Sequence, residues 1–108
     1  MDKDKKHERV LQEFKDCIPI FEVLADAHRQ NIIMLLAEEK LGLSVNSITE
    51  KMPLSRPAIS HHLKVLKQGG IVDVRKEGTE NMYFLTLKQT VEKLKQFVNS
   101  IEDSCCIK

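Results

Sequence analysis

Apolar positions in the first seventy residues recur at spacings of three and four, the period of helices packed on one side. Val10, Leu11, Phe14 and Cys17 mark a first helix starting near Glu8. Pro19 is expected to stop it, because the residue before a proline avoids the helical region, and to open a short second helix reaching Leu24. Asp26 suits the N-cap of a third helix ending near Glu38, with Ile32, Ile33 and Leu36 turned inward. Gly42 lies in a turn. Ser44 then caps a short helix to about Met52, buried through Val45, Ile48 and Met52, and Pro53 ends it. Ser55 caps the next helix, where Pro57 is tolerated in the first turn, and the glycines of Gln68–Gly70 stop it.

The period then changes. Ile71–Lys76 and Asn81–Thr86 are rich in strand formers and flank a turn with Gly78, which reads as a β-hairpin. A last helix covers about Lys88–Asp103. The fold class is mostly α with a small β-hairpin, and two helices joined by a tight turn and followed by a hairpin describe a winged helix-turn-helix.

The helix after Ser55 sorts into two faces at 100° per residue. Ile59, Leu63 and Leu66 form the core stripe, and His62 borders it, expected to bond nearby backbone. Pro57, Ser60, His61 and Lys64 lie opposite, with Arg56 and Lys67 at the border. Adjacent side chains on a helix do not face each other, so His61 and His62 are a poor chelating pair. The outward stripe suits a reader of the DNA major groove. Arg56 can approach a base through two donors, Ser60 and His61 can bond base edges or phosphate, and Lys64 and Lys67 can neutralise phosphates. The helix start behind Ser55 would aim free N–H groups at a phosphate. The plain alternative is a solvated polar face. Arg75 and Lys76, just before the hairpin turn, tip the balance, because from Ser55 to Lys76 five cations stand against Asp73 alone.

That clustering matters because the whole chain carries a formal charge of only +1. A nucleic-acid footprint must therefore be local. With 108 residues, 42% hydrophobic and 31% charged, residues 1–108 form one domain, small enough to gain from pairing with a second copy. No apolar run is long enough to span a membrane and the charged start is not a secretory signal, so a cytoplasmic location is expected. The odd set of Cys17, Cys105 and Cys106 points to free thiols. An enzyme is not expected, for want of a glycine-rich phosphate loop or a nucleophile with an oriented base.

"LADAHRQNIIMLL" (Leu24–Leu36) and "LSRPAISHHLKVLKQGGIVDVRKEG" (Leu54–Gly78) resemble the ArsR-type family of winged-helix repressors, the arsenic and metal-sensor family. The resemblance runs from about Phe21 to Leu85, with Ala27 where the family usually has proline. It implies a homodimeric transcriptional repressor, paired through its first and last helices, that binds double-stranded DNA and is released by a small effector. The last helix supports pairing independently. Leu87, Val91, Leu94, Val98, Ile101 and Cys105 form one seam at alternating spacings of four and three, and the alternative is that it packs only on its own domain. The operator is then expected to be an inverted repeat with halves about one helical turn, or a multiple of it, apart.

Two of the family's sensor sites are missing. No histidine follows His62, and Ser44 and Asn46 occupy the places of a cysteine pair. No firm metal site remains. Cys17, Cys105 and Cys106 are the candidate effector residues, as ligands for a soft ion such as As(III), Sb(III), Cd(II) or Pb(II), or as a thiol-redox switch. Against this stands the reading of Cys17 and Cys105 as small buried hydrophobes. A further alternative for the whole chain is a winged-helix protein-interaction module that does not bind DNA.

Overall fold

The computed structural model describes residues 2–104. In chain order they form α1 (Asp2–Leu24), α2 (Ala27–Glu38), β1 (Leu43–Ser44), α3 (Val45–Lys51), α4 (Arg56–Gln68), β2 (Val72–Glu77), β3 (Glu80–Leu85) and α5 (Lys88–Ser104). The caps are those the sequence suggests. Asp26 accepts from the Arg29 amide, Ser44 from that of Ser47 and Ser55 from that of Ala58, each with extended backbone.

Helices α2, α3 and α4 close over one core with the hairpin. Ile32, Ile48, Ile59, Leu63, Leu66 and Ile71 have no measurable exposure, and Val23, Leu36, Leu43 and Val72 pack with them. Burying each such side chain contributes about 1.5–3 kcal/mol, which fixes α4 by its inner stripe. A second cluster holds α1 against α5 through Val10, Cys17, Ile20 and Phe97, with Leu24, Leu94 and Ile101 at its margin.

Three expectations are corrected. Pro19 does not divide the first helix, and α1 runs through it. The ring removes one N–H from the ladder. Beyond it, however, Ile20 and Val23 continue the buried stripe of Val10 and Cys17, and their burial outweighs the lost bond. The sheet has three strands in the order β1–β3–β2, all antiparallel. The additional strand, Leu43–Ser44, pairs with Tyr83 and Met82. Gly42 makes that approach possible, at φ 89° and with the Tyr83 carbonyl oxygen only 2.6 Å from where a Cβ would stand. Finally, the α5 seam is split. Leu94 and Ile101 lean on α1 beside Phe97, whereas Val91 and Val98 are 42% and 50% exposed.

Candidate nucleic-acid interface

The inward pull of Ile59, Leu63 and Leu66 decides what α4 shows to solvent. Arg56, Pro57, Ser60, His61, Lys64 and Lys67 are all exposed along its other side. Ser55, also exposed, holds the first turn open by accepting the Ala58 amide at 3.3 Å. The result is a rigid rod with three cations, a hydroxyl and an imidazole on one side, beginning at a helix N-terminus. That is a surface able to lie along an anionic groove.

The wing is placed by β2 and β3, paired from Val72–Leu85 to Glu77–Glu80, with Gly78 turning the tip at φ 63°. Its two cations differ. Lys76 is exposed. Arg75 is half-buried and engaged, donating to Glu77 Oε1 at 2.8 Å and to the Leu41 carbonyl while its guanidinium sits 5.3 Å from the centroid of the Phe84 ring. Arg75 ties the wing to the α2–β1 loop, leaving Lys76 as the outward cation of β2.

A polar cleft between the wing tip and the starts of α3 and α4 is lined by Asn46, Arg56, Thr79, Glu80 and Asn81. Sequence reasoning placed none of Asn46, Thr79, Glu80 and Asn81 at this interface. The only signal would have been their place beside caps and turns, since the cleft joins the start of α3 to a wing tip more than thirty residues further along the chain.

The adjacent histidines separate as expected, His61 exposed and His62 half-buried. The partner of His62 is a correction. Its Nδ1 lies 3.4 Å from Arg29 Nη1, a side chain of α2 and not backbone. Burial above all, then the Arg29 guanidinium and to a lesser degree the neighbouring His28 and His61 rings, hold the imidazole below the ordinary histidine pKa, against the pull of Asp26.

Cys17 is 1% exposed inside the α1–α5 cluster, its sulfur 4.0 Å from the Lys93 carbonyl oxygen. Burial, then the carboxylates of Asp16 and Glu13, push its thiol pKa up, with Lys93 opposing. At neutral pH it is a protonated thiol packed as a small hydrophobe. Cys105 and Cys106 lie outside the described residues, as does the last position of the α5 seam. Among the described residues no three His, Cys, Asp or Glu side chains converge in a way that could hold a metal ion. No described helix is long and apolar enough to cross a membrane.

Comparison with known proteins agrees with this geometry. Residues 26–74 match the model for the bacterial regulatory protein arsR family. An uncharacterized HTH-type transcriptional regulator of Methanocaldococcus jannaschii is 36% identical over 85 residues, covering 79% of this chain and 94% of that protein. An arsenical resistance operon repressor of Staphylococcus xylosus is 29% identical over 97 residues, 88% of this chain and 91% of that one. Among solved structures, a homodimeric winged helix-turn-helix DNA-binding domain from Mycobacterium bovis superposes with a TM-score of 0.63 at 26% identity, covering 93% of this chain and 87% of that one.

Proposed function

The chain belongs to the arsR family of bacterial regulatory proteins, and from that premise we propose that it is a dimeric transcriptional repressor whose α4 reads an inverted-repeat operator and whose release is triggered at the α1–α5 layer. One observation carries the reading: every polar group on the outward side of α4, from Ser55 and Arg56 to Lys67, is exposed, while its inner stripe is sealed. Arg56 and Ser60 face base edges, Lys64, Lys67 and Lys76 face phosphates, and Arg75 holds the wing.

Two copies of α4 held about one DNA turn apart by a twofold axis would enter successive major grooves on one side of the duplex. An effector that favours another dimer geometry shifts the population away from that spacing. Cys17 places a thiol inside the α1–α5 layer, so an As(III)-type ion or an oxidant that took it would have to rearrange the layer that carries the dimer face. The arsenical-resistance role printed for the Staphylococcus xylosus relative makes a soft metalloid the first effector to test.

The test is a mobility shift on the promoter DNA of the protein's own transcription unit, with As(III), Cd(II), oxidant or reductant added. It is run on the wild type, on an Arg56→Ala/Lys64→Ala double variant and on a triple Cys→Ser variant. The wild type should protect two half-sites, the double variant should lose binding, and the triple variant should bind but no longer release. A chain that dimerises yet retards no duplex would favour an interaction module. Equal release of wild type and triple variant would remove the thiols from the mechanism.

A further inference from the structure

Helix α1 ends at Leu24, so its last carbonyls lack partners within the helix. The start of α2 supplies them. Arg29 donates from Nε to the Val23 oxygen at 2.8 Å and from Nη2 to the Glu22 oxygen at 3.1 Å, and Gln30 donates to the Leu24 oxygen at 2.7 Å. The remaining arm of the Arg29 fork, Nη1, is the group 3.4 Å from His62 Nδ1 on α4. A guanidinium only donates. Nδ1 must therefore accept, which puts the ring proton of the neutral imidazole on Nε2. With its side chain only 15% exposed, Arg29 spans three helices: rooted in α2, clamping the end of α1 and reaching α4. A second contact joins the same two ends. A Cβ on Gly69, at the close of α4, would stand 2.9 Å from Val23 Cγ2 in the last turn of α1.

We propose that Arg29 is a positioning residue for the reading helix: through His62 it fixes α4 against the C-terminal turn of α1, and the tie holds only while His62 is neutral. The inference rests on the reading of α4 as the DNA-contacting helix. Four charged or titratable groups face His62: Asp26, His28 and Arg29 of the α2 start, and His61 on α4, with the His28 and His61 rings 5.8 and 6.0 Å away. Burial and the Arg29 guanidinium, against the Asp26 carboxylate, keep the imidazole neutral near pH 7. A proton on Nδ1 would turn an accepted bond into two donors facing each other, cation against cation, with Asp26 as the competing partner for both. Ile18 and Phe21, exposed apolar residues of α1, lie on the last two turns of the helix that end in Glu22 and Val23. A change in what covers α1 therefore reaches the outward stripe of α4 through the Arg29 fork and the close packing of Gly69 on Val23.

Four variants separate this tie from mere fold support. Arg29→Ala removes it. Arg29→Lys keeps the charge but not the fork. His62→Asn offers an acceptor near the position of Nδ1 at every pH, and His62→Ala offers none. In DNA-free protein, ¹⁵N NMR of the rings should show wild-type His62 protonated on Nε2. In Arg29→Ala the tautomers should mix and the His62 titration should move up, because a neighbouring cation has gone. Affinity is then measured for a duplex selected by the wild-type chain from a randomised library, between about pH 5 and 8. Arg29→Ala, Arg29→Lys and His62→Ala should each weaken binding about tenfold at neutral pH. The slope against salt should stay unchanged, since no phosphate contact is lost. His62→Asn should match the wild type at neutral pH, and the wild-type-to-Asn affinity ratio should fall as pH drops through the His62 titration. An Nδ1–H tautomer in the wild type, or a pH profile shared with His62→Asn, overturns the proposal. So does a salt slope reduced by about one in Arg29→Ala, which would make Arg29 a phosphate contact. Should Arg29→Ala fail to fold, His62→Asn and His62→Ala test the same tie without disturbing the cap of α1. A wild type that selects no duplex refutes the repressor reading, and the ring tautomer and titration then decide the tie by themselves.

Discussion

Phe14 of α1 and Phe97 of α5 meet edge to face with 4.5 Å between ring centroids, and the contact is one-sided: Phe97 is 8% exposed and Phe14 46%. Behind Phe97 lies the cluster that binds the two helices. In front of Phe14 lies solvent. Leu11, Ile18 and Phe21 extend the same open stripe at spacings of three and four, and Val91 and Val98 add the free side of α5. A run of large apolar residues at helical spacing on the terminal helices is a surface for a partner, and a twofold copy supplies a self-complementary one. Ile18→Glu should therefore convert the dimer to a monomer. Each protomer would lose about 1.5–3 kcal/mol of burial and would bring a carboxylate to an apolar interface. Sedimentation velocity should show the 12.4 kDa species, with helix content unchanged because Ile18 is outside both cores. A wild type that is monomeric at micromolar concentration, or a variant that sediments like it, would contradict the stripe's assignment.

The two wing cations should separate by salt dependence. Removing a phosphate contact lowers the slope of log affinity against log salt by about one. Lys76→Ala should do this, because Lys76 is exposed near the wing tip. Arg75→Ala should leave the slope alone while weakening binding, since it releases the wing from the Leu41 carbonyl, Glu77 and Phe84. A reduced slope in Arg75→Ala would show that the free-state contacts give way to phosphate on binding.

What could be read in the sequence was whatever is decided within a few residues. Asp26, Ser44 and Ser55 announce α2, α3 and α4 because a cap acts three residues ahead, and the Ile59–Leu63–Leu66 stripe orients α4 by its own period. The features missed are decided at a distance. Leu43–Ser44 is a strand only because Tyr83 and Met82 lie beside it. Pro19 stays helical because Ile20 and Val23 find α5 and the core beneath them. The seam of α5 looked uniform until α1 covered Leu94 and Ile101 and left Val91 and Val98. His62 was assigned the right neighbourhood and the wrong partner, because a bond that crosses between elements is chosen by packing. The stripe on α4 was legible as a surface; the tie from Arg29 that sets its attitude was not.

Cys17 should be inert while the protein is folded. Alkylation needs the thiolate, and burial both removes the sulfur from reagent and raises its pKa. With iodoacetamide near pH 8, labelling of the tryptic peptide containing Cys17 should be at least about a hundredfold slower than in urea and should follow the opening of α1 from α5. Because the folded pKa lies above the unfolded one, the linked stability is present below the unfolded thiol's pKa and is lost as pH rises through the folded value. Fast native labelling would show that the thiol is reached without opening α1 from α5, so that an effector could take Cys17 without rearranging that layer.

Acid should destabilise the fold in two separate steps. His62 and Asp26 both have folded pKa values below their ordinary ones, His62 chiefly through burial and Asp26 chiefly through the hydrogen bond from the Arg29 amide. Each therefore binds more protons unfolded than folded, and stability falls as pH falls. The His62 contribution is complete above about pH 6.5 and is lost as pH drops through its folded value, while that of Asp26 is lost only below about pH 4. Urea midpoints measured across pH at constant ionic strength should show the upper step in wild type and not in His62→Asn. Asp26→Asn keeps an oxygen to accept the Arg29 amide but cannot ionise, so it should erase the lower step and, by removing the carboxylate that pulls His62 up, extend the upper one to lower pH. An upper step that survives in His62→Asn would place the acid sensitivity elsewhere than between α2 and α4.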